Sequence, residues 1–382
     1  MPIRVLTVIT RLELGGAQRV VLHTVGHLER RTFEPGLAWG PGDILDREAR
    51  ALADVERYEI ADLVRPVAPA SDLKALAALR RAIRAFGPQL VHTHSSKAGV
   101  LGRLAARLEH VPVVVHTVHG FGFTPLQSPL KRAAFLAAER IAARWTDHFV
   151  AVSRVNSERG VELGLWPRER VSVVRAGVGL DHFRASGNAP AARARLGLSS
   201  VVPVVTQIGN FKPQKAPLDF VRAAALIAQR LPEARFVMIG EGPLRGAAEA
   251  LARELGIADR VLFPGWWDDV PGLLAATAVS VLSSRHEGLP CAVVESLAAG
   301  VPVVATAVDG TPEVIRPGVN GELVPPGDPE ALARAVADLL DDDERRARMA
   351  AAATEGLDDF DLDHMVRDLE ELYRWLVGPS RS

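Results

Sequence analysis

Short β-branched apolar runs alternate with longer Ala/Leu/Arg-rich stretches along the whole chain. Runs at 3–9, 35–39, 90–94, 111–117, 148–152 and 171–174 predict strands in the first half. Runs at 202–208, 235–239, 260–263, 279–282, 301–305 and 321–324 predict strands in the second. Several lack strict apolar/polar alternation, as strands buried on both faces do. Between them, stretches such as 72–86 and 218–230 repeat apolar residues at helical spacing. Alternating strand and helix predicts parallel sheets with helices on both faces, and two such series predict an α/β protein of two doubly wound domains. A polar, Gly/Ser/Pro-bearing stretch at about 180–201 marks the seam, giving domains at 1–180 and 181–358. In the remaining 359–382, Leu362, Met365, Val366, Leu369, Leu372, Tyr373 and Leu376 fall on one helical stripe. A helix that amphipathic has to dock, and it is expected to cross between the domains and return to the first. No internal repeat of 20–50 residues is visible, which argues against a solenoid.

Composition narrows the class. A chain of 382 residues, 48% hydrophobic and 24% charged, fits two soluble domains. No run of about 18 apolar residues is present to span a membrane as a helix. The opening MPIRVLTVIT is too short in apolar length for a secretory signal and reads as a first buried strand. The single cysteine, Cys291, excludes an intramolecular disulfide framework and fits a reducing compartment, so a cytoplasmic location is expected. The net charge of −1 hides an asymmetry: residues 1–180 hold 25 Lys+Arg against 17 Asp+Glu, and the rest hold 20 against 29. Either the basic half meets an anionic lipid surface or phosphorylated acceptor, or the two halves merely have unequal solvated faces. The stretch at 131–144, KRAAFLAAERIAAR, predicts a basic helix and leaves the same two readings open.

In doubly wound sheets, ligands gather beyond the carboxyl ends of strands, so chemistry is sought in the loops that follow them. The strongest such loop holds Glu287, Gly288, Leu289 and Pro290 before a helix expected to begin near Cys291 and end at Gly300. Free amides at that helix start would seat a phosphate or a sugar hydroxyl. Glu295 lies eight residues beyond Glu287, roughly 12 Å if the interval is helical. That separation suits two carboxylates straddling a diphosphate, and the apolar neighbours of Glu295 argue against a merely solvated position.

E-G-L-P-C-A-V-V-E at 287–295 is followed by A-G-V-P-V-V-A-T at 299–306, V-D-G-T-P-E-V-I at 308–315 and N-G-E-L-V at 320–324. This ordered set resembles glycosyltransferase family 4, retaining enzymes of GT-B architecture in which two Rossmann-like domains face each other across a cleft. The resemblance implies that Glu287 contacts the transferred sugar and Glu295 the ribose. It also implies that amides around Gly288, Leu289 and Pro290 hold the sugar or diphosphate. In TQIGNFKPQKAP at 206–217, Gly209 and Lys215 match the family, while Asn210 and Ala216 stand where an arginine and a second glycine are usual. Lys212 is then the expected substitute for that arginine, and Lys215 the cation at the leaving diphosphate. Gly15 and Gly16 match a glycine-rich loop lining the cleft, and His119 a histidine that reaches the donor sugar.

Other features leave alternatives open. His92, His94, His116 and His119 end two adjacent predicted strands; they suggest either zinc or, as no Cys or acidic partner has ligand spacing with them, cleft-lining hydrogen bonders. Trp266 or Trp267 would stack on a nucleobase, or else serve the core. At 173–183, Ala176 and Gly179 replace the family's polar residues in a hinge-like strand. No D-x-D pair stands in a suitable loop, so no metal or other cofactor is expected beyond the donor substrate. The implied reaction is retaining transfer of a hexose from a UDP- or GDP-linked sugar to a glycan, lipid-linked or small-molecule acceptor. Its expected setting is cell-envelope or exopolysaccharide synthesis, in the cytoplasm or peripheral on the inner membrane face, with no nucleic-acid partner. A sugar epimerase or phosphorylase on the same fold is one alternative, and a non-catalytic sugar-nucleotide-binding protein is another.

Overall fold

In the computed structural model, which describes residues 1–123, 127–185 and 187–378, the chain forms two compact units. The first comprises Met1–Gly177 together with Asp359–Ser382, and the second Val178–Asp358. Ser186 of the expected seam and residues 379–382 of the tail lie outside the described residues.

The first unit is built on β1 (Ile3–Arg11), β2 (Phe33–Gly40), β3 (Glu56–Glu59), β4 (Leu90–His94), β5 (Val113–Val118), β6 (His148–Ala151) and β7 (Val171–Val173). They form one parallel sheet in the order β3-β2-β1-β4-β5-β6-β7. The second unit carries β8 (Val204–Ile208), β9 (Arg235–Ile239), β10 (Val261–Gly265), β11 (Val279–Leu282), β12 (Val303–Thr306) and β13 (Gly321–Val324). Its parallel order is β10-β9-β8-β11-β12-β13. All twelve strands expected from the sequence are present, with ends within two residues. Helices on both faces explain their unbroken apolar runs: every residue of β4, β5, β6, β11 and β12 is buried.

β3 is the strand the hydrophobic pattern does not show. Glu-Arg-Tyr-Glu at the edge of the sheet is mostly exposed, and charge on an edge strand discourages pairing with other chains. The 180–201 stretch holds two short helices, Leu180–Arg184 and Ala189–Arg195, and both belong to the second unit.

The amphipathic helix near the end, Leu362–Val377, packs on the first unit. Asp361 caps it by accepting the amides of Asp363 and His364. Tyr373 is fully buried and its hydroxyl lies 2.5 Å from His92 Nδ1, while the Glu370 carboxylate accepts the Glu29 amide at 2.7 Å.

Each sheet has one place where strand order reverses, between β1 and β4 in the first unit and between β8 and β11 in the second. At such a switch point the connecting helices depart to opposite faces and leave a crevice for ligands at the strands' carboxyl ends.

Candidate functional site

At the switch point of the second unit, the loops after β8 and β11 are stitched together. The Ser283 hydroxyl lies 2.9 Å from the Lys215 carbonyl and 3.1 Å from that of Ala216. Gln207, near the end of β8, donates to Ser283 Oγ at 3.1 Å, and the Arg285 amide donates to the Gln214 carbonyl at 2.7 Å. This stitching brings Lys215 Nζ to 2.6 Å from Glu287 Oε1, and the Ser284 hydroxyl donates to the same oxygen at 2.6 Å. Glu287 is only 7% exposed, where an unpaired carboxylate would be costly. Lys215 and Ser284 offset that cost. Ala216 continues the turn at φ 44°, a left-handed conformation that a side chain resists and glycine adopts freely. The family's preference for glycine at this position follows from that backbone.

The Glu287 amide donates to Asp309 Oδ2 at 2.6 Å, from the loop after β12. Gly288, Leu289 and Pro290 are buried, and Pro290 is the N-cap of the helix Cys291–Ala298. The Val293 and Val294 amides donate to the Pro290 carbonyl at 2.9 and 3.4 Å, which leaves the amides of Cys291 and Ala292 at the helix's positive dipole end. Only residues 291–295 of the interval between the two glutamates are helical, so the 12 Å helix-rise estimate does not apply. The Cys291 thiol still senses both carboxylates: burial first, then Glu295, with a smaller part from Glu287, pushes it up to about 12 against an opposing pull from Lys215. Glu287 and Lys215 are paired beside the helix start, and Glu295, half-buried, lies one helical turn beyond Cys291. Gly209 follows β8, and a Cβ on its neighbour Gly240 would lie 2.3 Å from the Gly209 carbonyl oxygen; the loops after β8 and β9 are pressed backbone to backbone. Lys212, half-buried, immediately precedes the turn Pro213–Lys215.

In the first unit, Gly15 and Gly16 follow β1 and start the helix Gly16–His27, and His119 follows β5, with β4 between them in the sheet. His119 Nε2 lies 2.9 Å from His94 Nδ1, so one ring donates and the other accepts. His92 lies between Tyr373 and Thr117 Oγ1, the latter at 2.7 Å. His116 points to the other face, 2.9 Å from Thr93 Oγ1. Burial lowers all four. His119 falls to about 4; His92 falls to about 3, with repulsion from His119 second. His94 and His116 lie well below the ordinary value through burial and then neighbouring charge. These rings are neutral hydrogen bonders at pH 7. Among the described residues no group of three or more His, Cys, Asp or Glu is placed to hold a metal ion.

The tryptophan alternatives separate. Trp267 is buried, with the Arg195 guanidinium 3.8 Å from its ring centroid. Trp266, beyond β10, is 44% exposed and leaves a face available. Asp269 caps the helix Val270–Ala275 by accepting the Gly272 amide at 2.9 Å. An open depression of about 780 Å³ beyond β2, lined by Asp43, Ile44, Asp46, Arg47, Arg50 and Glu59 among others, holds charges largely spent on one another. It lacks the convergent amides of the second-unit site.

The sequence did not single out Ser284 or Asp309. Their signals were faint: a serine pair closing a strand, and an Asp-Gly turn.

Two doubly wound parallel-sheet units, the second with an ion pair and a helix start at its switch point, define a protein of the GT-B class. Solved structures share this fold across nearly the whole chain. HepE of Anabaena, solved with UDP, matches with a TM-score of 0.80 at 20% identity, covering 98% of this chain and 100% of that one. WaaG, a glycosyltransferase involved in lipopolysaccharide biosynthesis, matches at 0.77 and 17% identity, covering 96% and 99%. Residues 14–182 match the model described as Glycosyltransferase Family 4, and residues 188–356 that described as Glycosyl transferases group 1. An Escherichia coli UDP-Gal:alpha-D-GlcNAc-diphosphoundecaprenol alpha-1,3-galactosyltransferase is 31% identical over 369 residues, 94% of each chain. A D-inositol 3-phosphate glycosyltransferase of Salinispora tropica is 34% identical over 324 residues, 79% of this chain and 67% of that one. The chain belongs to glycosyltransferase family 4 and is a glycosyltransferase. The comparisons lend no support to the epimerase, phosphorylase or non-catalytic readings.

Proposed function

We propose that the protein transfers a hexose, with retention at the anomeric carbon, from a nucleoside diphosphate sugar to a lipid-linked or other glycan acceptor in cell-envelope or exopolysaccharide synthesis. The observation that carries this reading is the Lys215–Glu287 pair, 2.6 Å apart at the switch point beside the start of the helix Cys291–Ala298. Cleaving the anomeric C–O bond places positive charge on the sugar and negative charge on the departing diphosphate. Lys215, with Lys212 on the same turn, and the Gly288, Leu289 and first-turn amides would stabilise the anion, while Glu287 would hold the sugar and Glu295 the ribose diol. Gly209 would let the diphosphate approach the backbone, and Trp266 would stack on the base. His119, held neutral by burial, would serve as a hydrogen-bonding partner of the sugar, and Gly15–Gly16 would bring backbone close to the ligand. This reading calls for no metal or other cofactor.

The names of related proteins favour a uridine donor: HepE has been solved with UDP-glucose, and the E. coli relative uses UDP-Gal and a diphosphoundecaprenol acceptor. A lipid-linked acceptor also suits the helix Pro129–Ala143. Only Ala142 is buried along it, and Leu130, Lys131, Arg132, Arg140 and Ile141 are exposed. Apolar and cationic groups side by side fit an anionic bilayer surface, which would place the enzyme peripherally on the inner membrane face. No described helix is long and apolar enough to cross a membrane.

The test is nucleotide release from UDP-glucose, UDP-galactose and GDP-mannose, with and without undecaprenyl-diphosphate-linked GlcNAc, and NMR of the product's anomeric configuration. Acceptor-dependent release lost in Glu287→Gln and weakened in Glu295→Ala is expected. Inversion, or release indifferent to both substitutions, would overturn the mechanism.

A further inference from the structure

The Glu287–Gly288 turn is gripped from the loop after β12 at two points. Asp309 Oδ2 accepts the Glu287 amide at 2.6 Å, and the Gly310 amide donates to the Gly288 carbonyl at 3.2 Å. The side chain of Glu287 is fixed separately, by Lys215 and Ser284. The β12 loop therefore sets the backbone of the turn, and the β8 and β11 loops set its carboxylate. Holding this grip has a backbone cost: Asp309 sits at φ 42°, in the left-handed region that non-glycine residues other than Asn and Asp rarely enter. A residue chosen only to make the turn would be glycine. Aspartate adds one thing glycine lacks, an anionic acceptor for an amide that would otherwise sit unpaired beside a buried carboxylate.

We infer that Asp309 is a positioning residue for the donor site, clamping the Glu287–Gly288 turn so that the glutamate and the neighbouring amides stand ready before the sugar arrives. The inference rests on the donor-site reading of Glu287. Preorganised groups stabilise a developing charge without rearranging during the reaction, and a displacement of about 1 Å costs on the order of a hundredfold in rate. Asp309 acts through the turn and needs no contact with substrate.

Three substitutions separate the clamp from the turn. Asp309→Gly relieves the backbone and removes the acceptor; Asp309→Ala removes the acceptor and keeps the strain; Asp309→Asn keeps both the conformation and an oxygen acceptor. With whichever of UDP-glucose, UDP-galactose and GDP-mannose the parent turns over, kcat/KM for the donor is expected to fall roughly ten- to a hundredfold in the Gly and Ala variants. Asp309→Asn recovers most of it, and the KM of the acceptor stays at the parental value in all three. Circular dichroism and thermal midpoint check that the Gly variant is folded. Parental turnover in Asp309→Gly, or an Asn variant as impaired as Ala, would overturn the clamp. Glu287→Gln serves as the separate control: if it retains parental turnover, the donor-site reading itself fails.

Discussion

Lowering the pH from 7 to 5 should destabilise the first unit through His92. This ring is 1% exposed, lies between Tyr373 and Thr117, and is held at about 3 chiefly by burial. In the unfolded chain it returns to about 6.5. Between those values the unfolded state binds the proton and the folded state does not, so stability is present above the unfolded value and lost as pH falls. At pH 5 the loss from His92 alone is about 2 kcal/mol, against about 0.2 kcal/mol at pH 7. His119, His94 and His116 shift in the same direction and add to it. The assay is urea unfolding of the parent and His92→Gln between pH 5 and 7.5, where most carboxylates stay ionised. The variant starts less stable at pH 7 but should lose about 2 kcal/mol less than the parent by pH 5. A parent whose stability is flat across this range, or a variant that falls as steeply, would refute the reasoning.

Other predictions concern single contacts. Lys215→Met leaves the buried Glu287 carboxylate with Ser284 alone, and should cost about 3 kcal/mol in urea unfolding as well as most of the turnover. The Cys291 thiol, pushed up to about 12, should react with a disulfide reagent at pH 8 at least about a hundredfold more slowly in the folded than in the urea-unfolded protein. Gly160→Ala would place a methyl 1.8 Å from Trp166 Cζ2, and should destabilise by about 2 kcal/mol or more, read as a lowered thermal midpoint.

Strands that helices cover on both faces were legible because their apolar runs need no partner to be recognised. β3 was not, because an exposed edge strand of Glu-Arg-Tyr-Glu has nothing apolar to bury. The loop at 287–290 was legible from punctuation, a proline and a glycine bounding a helix, but helical rise gives no spacing between Glu287 and Glu295 because the first lies outside that helix. Choosing between Trp266 and Trp267 required knowing where Arg195 packs, a contact across 72 residues of sequence. Asp309 was hidden for the same reason. Its carboxylate matters through the amide of a residue 22 positions earlier, and only the pairing of β11 with β12 brings the two together.

The Tyr373 hydroxyl inside the first unit bears on how the protein is made. His92 emerges from the ribosome long before residue 373, separated from it by the whole second unit. At roughly 5–20 residues per second the nascent sheet waits on the order of ten to sixty seconds with that position unfilled. The two halves thus mature in an order unlike their order of synthesis: the second can close on itself first, and the one begun earliest is completed last.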